Sequence, residues 1–304
     1  MRKIPGTIAL ILLGTTSLAA PAAAEGLDLA GSLGAGRFTH YVPPVTHPTL
    51  NETPFITTEV KPIFLYHSIP SGFVTDGGRV IGGAVQARLA LGERFAIIAT
   101  TDGYADLDFD GVLPDADGFL DLAAGVKYAL LSNPAAGEIL TAGVRYTAST
   151  GNIDSAGIDL TGSHKGFLDT FLTGAKIWDS GWQAQGAVGF QWGIGAESWS
   201  YFHLHGHLDY EVAPGVYPLI EANLLLPVDG GDRIPGSSLT SVDLFDIGAE
   251  DTQGTFTLAI GARYRPMDNL ILGAAVEGNI LDLGADTAES VFGWRVTTDV
   301  TIHF

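Results

Sequence analysis

The feature that most constrains this chain is where its apolar residues fall. Hydrophobic residues make up 46% of it, yet after the first two dozen residues no run of 18 or more could form a spanning helix. The apolar side chains come instead at every second position. In the last thirteen residues, Phe292, Trp294, Val296, Val300, Ile302 and Phe304 share one parity, and Arg295, Thr297, Asp299, Thr301 and His303 share the other. A strand sends alternate side chains to opposite faces, so this stretch has one greasy face and one polar face. The same period recurs over 55–69, 79–91, 95–106, 119–130, 139–149, 166–178, 182–192, 199–211, 217–227, 254–265, 270–280 and 292–304, which predicts twelve strands.

The connections between them decide the architecture. Counted back from the C-terminus they alternate between short turns, such as Asp179-Ser180-Gly181 and Ala213-Pro214-Gly215, and long loops, such as 228–253 and 281–291. Transmembrane barrels combine short turns on one side with long loops on the other, and an even strand number leaves both termini on the short-turn side. A propeller or sandwich has no reason to keep that order. Aromatic residues give a second check. Trp178 and Trp182 flank a turn, Trp192 and Trp199 flank a loop, and most tyrosines fall near predicted strand ends, where an amphipathic ring suits the bilayer interface. The predicted fold is all-β, a transmembrane antiparallel up-and-down barrel of about twelve strands.

The first residues carry Arg2 and Lys3, an apolar run from Ile8 to Leu13, and Ala22-Ala23-Ala24. This is the pattern of a signal peptide over 1–24. Residues 25–53 hold many Gly and Pro and no sustained period, which suggests a periplasmic or lumen-inserted segment, with the barrel over 54–304. The chain has no Cys, which removes disulfides and thiolate chemistry. Its net charge is −19, and losing Arg2 and Lys3 with the signal takes it to −21. Such a balance argues against nucleic acid as a partner.

Within the strands the charged residues share a parity, and that parity is the expected lumen. Glu59, Lys61 and His67 come first, then Arg88, Asp102, Asp121 and Lys127. Arg145 and Lys176 follow, then Glu221, Arg263, Glu277, Arg295 and Asp299. A charge on the lipid face costs about 2–4 kcal/mol near midplane. In the strand over 166–178, assigning Lys176 to the lumen puts Asp169 on the lipid parity, near the external rim. Twelve strands about 4.8 Å apart and tilted about 40° enclose a cylinder roughly 24 Å across. That leaves a passage for a small molecule, or a closed lumen in which charges of both signs pair.

Two clusters invite a ligand. His203, His205, His207 and Asp209 share one face, with neighbours about 6.8 Å apart; they either approach a shared metal or hydrogen-bond to acids and amides of adjacent strands. Asp106, Asp108 and Asp110, followed by Gly111 and Asp117, match the spacing of a calcium loop. The competing reading is a solvated acidic loop, or one bridged to lipopolysaccharide by shared divalent ions. No spacing picks out a nucleophile with its base, so no enzymatic activity is expected.

From Thr58 to Phe304 the chain resembles bacterial outer-membrane channels. The opening strand Thr58-Glu-Val-Lys-Pro-Ile-Phe-Leu-Tyr-His67, the glycine-rich hairpin after it and the terminal Phe304 are most similar to the meta-pathway phenol-degradation channels. The resemblance implies a place in the outer membrane, lipid and lipopolysaccharide as surroundings, and recognition of Phe304 by the insertion machinery. It also implies a small, hydrophobic or aromatic solute. A non-conducting structural barrel is the alternative, and an outer-membrane enzyme a more distant one. Deleting Phe304 is expected to lower the amount of protein assembled in outer-membrane fractions several-fold; unchanged levels would refute this role.

Overall fold

The computed structural model describes residues 29–101, 103–162, 165–196, 198–231, 243–245, 254–283 and 290–304. The expected signal peptide and Asp102 lie outside the described residues. Most of the described part is strand. No helix in it is long and apolar enough to cross a membrane, and a 3-10 turn, Gly36–His40, precedes the sheet.

In chain order the strands are β1 (Glu59–Ile69), β2 (Gly78–Ala90), β3 (Phe95–Thr101), β4 (Gly103–Phe109), β5 (Ala116–Phe119), β6 (Leu122–Asn133), β7 (Glu138–Ala148), β8 (Asp154–Ser155), β9 (Ile158–Asp159), β10 (Phe167–Ile177), β11 (Trp182–Gly193), β12 (Ser200–Tyr210), β13 (Val216–Asp229), β14 (Gly254–Met267), β15 (Leu270–Leu283) and β16 (Trp294–His303). All except β8 and β9 belong to one antiparallel sheet, which closes because β1 pairs with both β2 and β16. β3 and β4 are two halves of one stave against β2, and β5 and β6 are two halves of the next. The barrel therefore has the expected twelve staves.

The staves differ from the sequence reading where side chains compete with the ladder. β5 and β6 are parted at Leu120 and Asp121. There the Asp121 carboxylate accepts backbone N–H groups of Thr150 (2.8 Å) and Gly151 (2.7 Å) from the neighbouring external loop. The first strand begins at Glu59 rather than at residue 55. Phe55 and Ile56 pack inside the barrel instead, with Phe38, Tyr41 and Ile139.

The outer face is apolar. Ile220 lies opposite Ile260, Ile260 opposite Val276, and Val276 opposite Val296. Ile260 is 70% exposed and Ile220 56%. A continuous belt of this kind would be an aggregation surface in water, and is a lipid-facing surface in a bilayer. Aromatic pairs sit at its rims: Tyr66 with Trp294 at one end (5.1 Å between ring centroids), Trp182 with Tyr210 at the other (4.9 Å). Trp199 departs from the girdle expected for it. It is buried at the external end of the lumen, its ring 4.5 Å from that of Tyr201.

Inside, wall glycines make room for large polar side chains. The Arg263 guanidinium lies directly over Gly273, where a Cβ would collide with it. A Gly273→Val substitution is therefore expected to cost about 1–3 kcal/mol by overpacking. It should lower the temperature at which the compact band in a detergent gel converts to the unfolded one. An unchanged conversion temperature would mean that the space over Gly273 is not needed.

Candidate functional site

The lumen is occupied by the chain's own N-terminal segment. It enters at the short-turn end, turns back at His47–Asn51 and returns to β1. The turn is closed by the N–H groups of Leu50 and Asn51 on the His47 carbonyl (2.9 and 2.8 Å), with His47 in the left-handed region at φ 46°. The segment continues to Thr58, the residue before β1.

A chain crossing a lumen without a partner strand must find other partners for its backbone. Four prolines reduce the need, because each removes a donor, and their carbonyls take hydrogen bonds from the wall. Pro43 accepts from Arg263 Nε (2.8 Å) and Pro44 from Lys61 Nζ (3.3 Å) and Arg263. Pro48 accepts from Gln86 (2.7 Å) and Pro54 from Thr141 (2.5 Å). Other donors meet side chains: the N–H groups of Val45 and Thr46 both bond to Glu221, at 2.8 and 2.7 Å, and that of Val42 reaches Gln183 (3.4 Å).

Three charge clusters fasten this plug. Glu52 receives a two-pronged bond from Arg88 (2.8 and 2.7 Å) and a third from Lys127 (2.8 Å), while Arg88 also reaches Glu59 (2.8 Å). Next to it, Arg263 pairs with Asp299, and Lys61, two residues along β1 from Glu59, lies 3.9 Å from Asp299. At the apex, His47 Nε2 bonds Glu277 (2.8 Å) and Nδ1 lies 3.0 Å from Asp243, a residue of the external β13–β14 connection. Arg295 holds both oxygens of Asp243, at 2.9 and 2.6 Å.

Burial opposes charge on each plug group, and ion pairing overcomes it. Glu277 and Asp243 push His47 up from 6.5 to about 10. Arg88 and Lys127 hold Glu52 far below the usual carboxylate range, and Arg295 and His47 do the same for Asp243.

The histidine row adopts its hydrogen-bonded alternative. His203 Nε2 bonds Asp169 (2.9 Å), His205 Nδ1 bonds Asn223 (2.8 Å), and His207 lies between Glu221 and Asp209, both at 2.7 Å. Among the described residues no group of three His, Asp or Glu side chains converges to hold a metal. The acids of the calcium-loop spacing are spread along a hairpin. Asp106 and Asp108 lie along the straight strand β4 and Asp117 is on β5, so Asp106 faces Asp117 across a hairpin rather than around a loop. Asp108 pairs with Arg79 (2.6 Å), Asp117 accepts from Tyr104, and Asp110 lies in the turn beyond the strand.

The parity of β10 is also corrected. Asp169 is buried inside, bonded to Arg145 (2.5 Å) as well as to His203. Lys176 takes the outward parity and bonds Glu138 (2.6 Å) and the Ala136 carbonyl at the short-turn rim. A long amine snorkels at the interface, where its charge costs little. His67 bonds the Val291 carbonyl (2.9 Å) and Arg295 (3.2 Å). The residues that reading the strands alone misses are the plug's own, His47 and Glu52, together with Asp243. Lys61, Arg88 and Lys127 lie on the inner face of the first four staves, but the sequence also sets Glu59 and Asp121 there, so no charge excess marked the plug.

Above the plug lies a cavity of about 190 Å³. Leu50, Ile63, Leu65, Val80, Phe167 and Trp199 supply much of its wall, with Arg145, Gln191 and Arg295 among the polar members. Below it a wider vestibule of about 520 Å³ opens at the short-turn end, bounded by Tyr41, Tyr217, Arg265 and Phe304.

An outer-membrane channel from Pseudomonas putida F1 superposes on 87% of this chain and 100% of its own, with a TM-score of 0.60 and 16% sequence identity. The chain has the fold of an outer-membrane channel. The NanC porin matches more loosely, with a TM-score of 0.48 and 6% identity over 81% of this chain and 98% of that one, and adds no argument. No family model matches the chain, and no curated protein matches its sequence. With its apolar belt and closed barrel, this fold belongs in the bacterial outer membrane.

Replacing Glu52 by Gln leaves Arg88 and Lys127 sharing Glu59 alone. Removing one member of a buried ion pair costs about 3–5 kcal/mol, so conductance through the variant in planar bilayers is expected to rise several-fold. Opening should also follow pH. His47 has its pKa raised, so its contribution is fully present below about pH 6.5 and is lost as pH rises through about 10. Wild-type conductance should therefore increase over that range, and a His47→Gln variant should lose the dependence.

Proposed function

We propose that this protein is an outer-membrane channel for small molecules with an apolar body, closed at rest by its N-terminal segment. The observation that carries the reading is the arrangement along the barrel axis. An apolar cavity on the loop side and a wider vestibule on the other are separated by a plug held mostly through side chains. The plug makes no strand pairing with the wall among the described residues, so it can shift without breaking the barrel ladder. A solute would enter from the loop side, rest against Leu65, Val80 and Phe167, and pass when the Glu52 and His47 contacts loosen.

The resemblance to phenol-degradation channels supports an aromatic solute, as do the apolar walls of a cavity that would suit one small ring system. A fixed, sealed lumen is the competing reading, favoured by the number of buried ion pairs across the plug. Proteoliposome uptake separates the two. The full chain is expected to admit phenol or 3-phenylpropan-1-ol several-fold faster than glucose, and the Glu52→Gln variant should speed uptake further. Uptake no faster than in empty liposomes, for wild type and variant alike, would support a structural barrel.

A further inference from the structure

Asp243-Leu244-Phe245 occupies an unusual position for part of an external connection. Asp243 reaches down to the floor of the loop-side cavity, while Leu244 and Phe245 join the apolar cluster that forms its wall. Phe245 approaches Phe109, with ring centroids 6.5 Å apart. The carboxylate is held in the fork of Arg295, whose guanidinium is itself fixed from two sides: Nε bonds His67, and the plane lies over the Phe292 ring at 4.6 Å. His47 contributes a second cation at 3.0 Å.

We propose that this is a binding site for a small monocarboxylate with an apolar body, and that Asp243-Leu244-Phe245 occupies it as an internal competitor. The inference rests on the channel reading and names the class of solute.

Charge, shape and surroundings agree on that class. Arg295 and His47 face two acids, Asp243 and Glu277, so the four groups balance when His47 is protonated. Glu277 is fixed to the wall, bonded by Thr257 and Asn223 as well as by His47. Withdrawing Asp243 therefore leaves one uncompensated positive charge at the floor of the cavity. A monoanion restores the balance; an amine would worsen it, and a neutral alcohol would leave a buried guanidinium without its counter-charge. The two parallel bonds of Arg295 suit the planar geometry of a carboxylate, which a single-point acceptor does not match. Next to this head site, the space taken by Leu244 and Phe245 continues into the apolar cavity. A ligand body there meets Leu50, Ile63 and Trp199.

The arrangement also couples ligand to plug. His47 belongs to the plug and contacts the same carboxylate, so a ligand head that replaces Asp243 would act on the group that fastens the plug apex.

The test is calorimetric titration of the detergent-solubilised full chain with 3-phenylpropanoate, 3-phenylpropan-1-ol and 3-phenylpropylamine at pH 7. The carboxylate is expected to bind most tightly. An Asp243→Asn variant, which keeps volume and removes the competing charge, should bind it at least tenfold more tightly, with the alcohol little changed. Arg295→Gln should abolish the carboxylate preference. Because that variant removes a buried charge, Arg295→Lys is the companion: it keeps the charge, loses the fork and should weaken binding about tenfold. Equal or weaker carboxylate binding by Asp243→Asn, in protein that still shows heat-modifiable migration, overturns the proposal. Proteoliposome uptake distinguishes its failure from that of the channel reading. Uptake of all three compounds without head-group preference would leave the channel standing and remove this site. Tight carboxylate binding without uptake would leave the site and remove the channel.

Discussion

The closed state of this barrel depends on a carboxylate that the wall does not supply. Arg88 and Lys127 lie two staves apart, fully inside, and two cations brought to one carboxylate repel each other in a medium that screens weakly. Glu59 offsets one of them. Glu52, delivered by the returning arm of the plug, offsets the other by bonding both at once. Plug and wall are thus electrically incomplete without each other. The same logic repeats across the lumen, where Glu221 takes two plug N–H groups and Arg263 takes two plug carbonyls.

The bilayer imposes the complementary constraint from outside. Charge is excluded from the lipid face over most of its height, so polar residues that the chain needs must turn inward or move to the rims. Lys176 and Asp169, seven residues apart on β10, take those two solutions. Lys176 faces outward where a short turn brings it level with the interface. Asp169 turns inward and links Arg145 to His203, which continues the buried network toward the histidine row.

A plug fastened by side chains differs in kind from one added as a strand. Many of its contacts are separate side-chain bonds, several of them charged, so each of these can be weakened by protonation, substitution or a competing ion without unzipping the sheet. Four prolines serve this design: they lower the number of backbone donors that must be satisfied and leave carbonyls directed at the wall. Apex and external connection meet at Asp243, so events on the loop side have a direct physical route to the plug.

Strand number, the order of short and long connections, and the inward direction of most charges were all legible in the sequence. They follow from local rules: period two sets the faces, turn residues set the connections, and the lipid face tolerates almost no charge. β10 misled because two charges of opposite parity, Asp169 and Lys176, compete for the inside, and only depth in the membrane tells which belongs there. At Asp106 and Asp108 the calcium spacing falls along a strand, which holds successive carboxylates apart. Residues 29–58 have no period to read, since they pair with no strand. Their course through the lumen is set by long-range contacts between Glu52 and Arg88, Glu221 and Thr46, and His47 and Glu277. Local pattern determined the barrel. Only the tertiary structure decided that its lumen is filled, because complementary charge between segments distant in sequence leaves no mark in either segment alone.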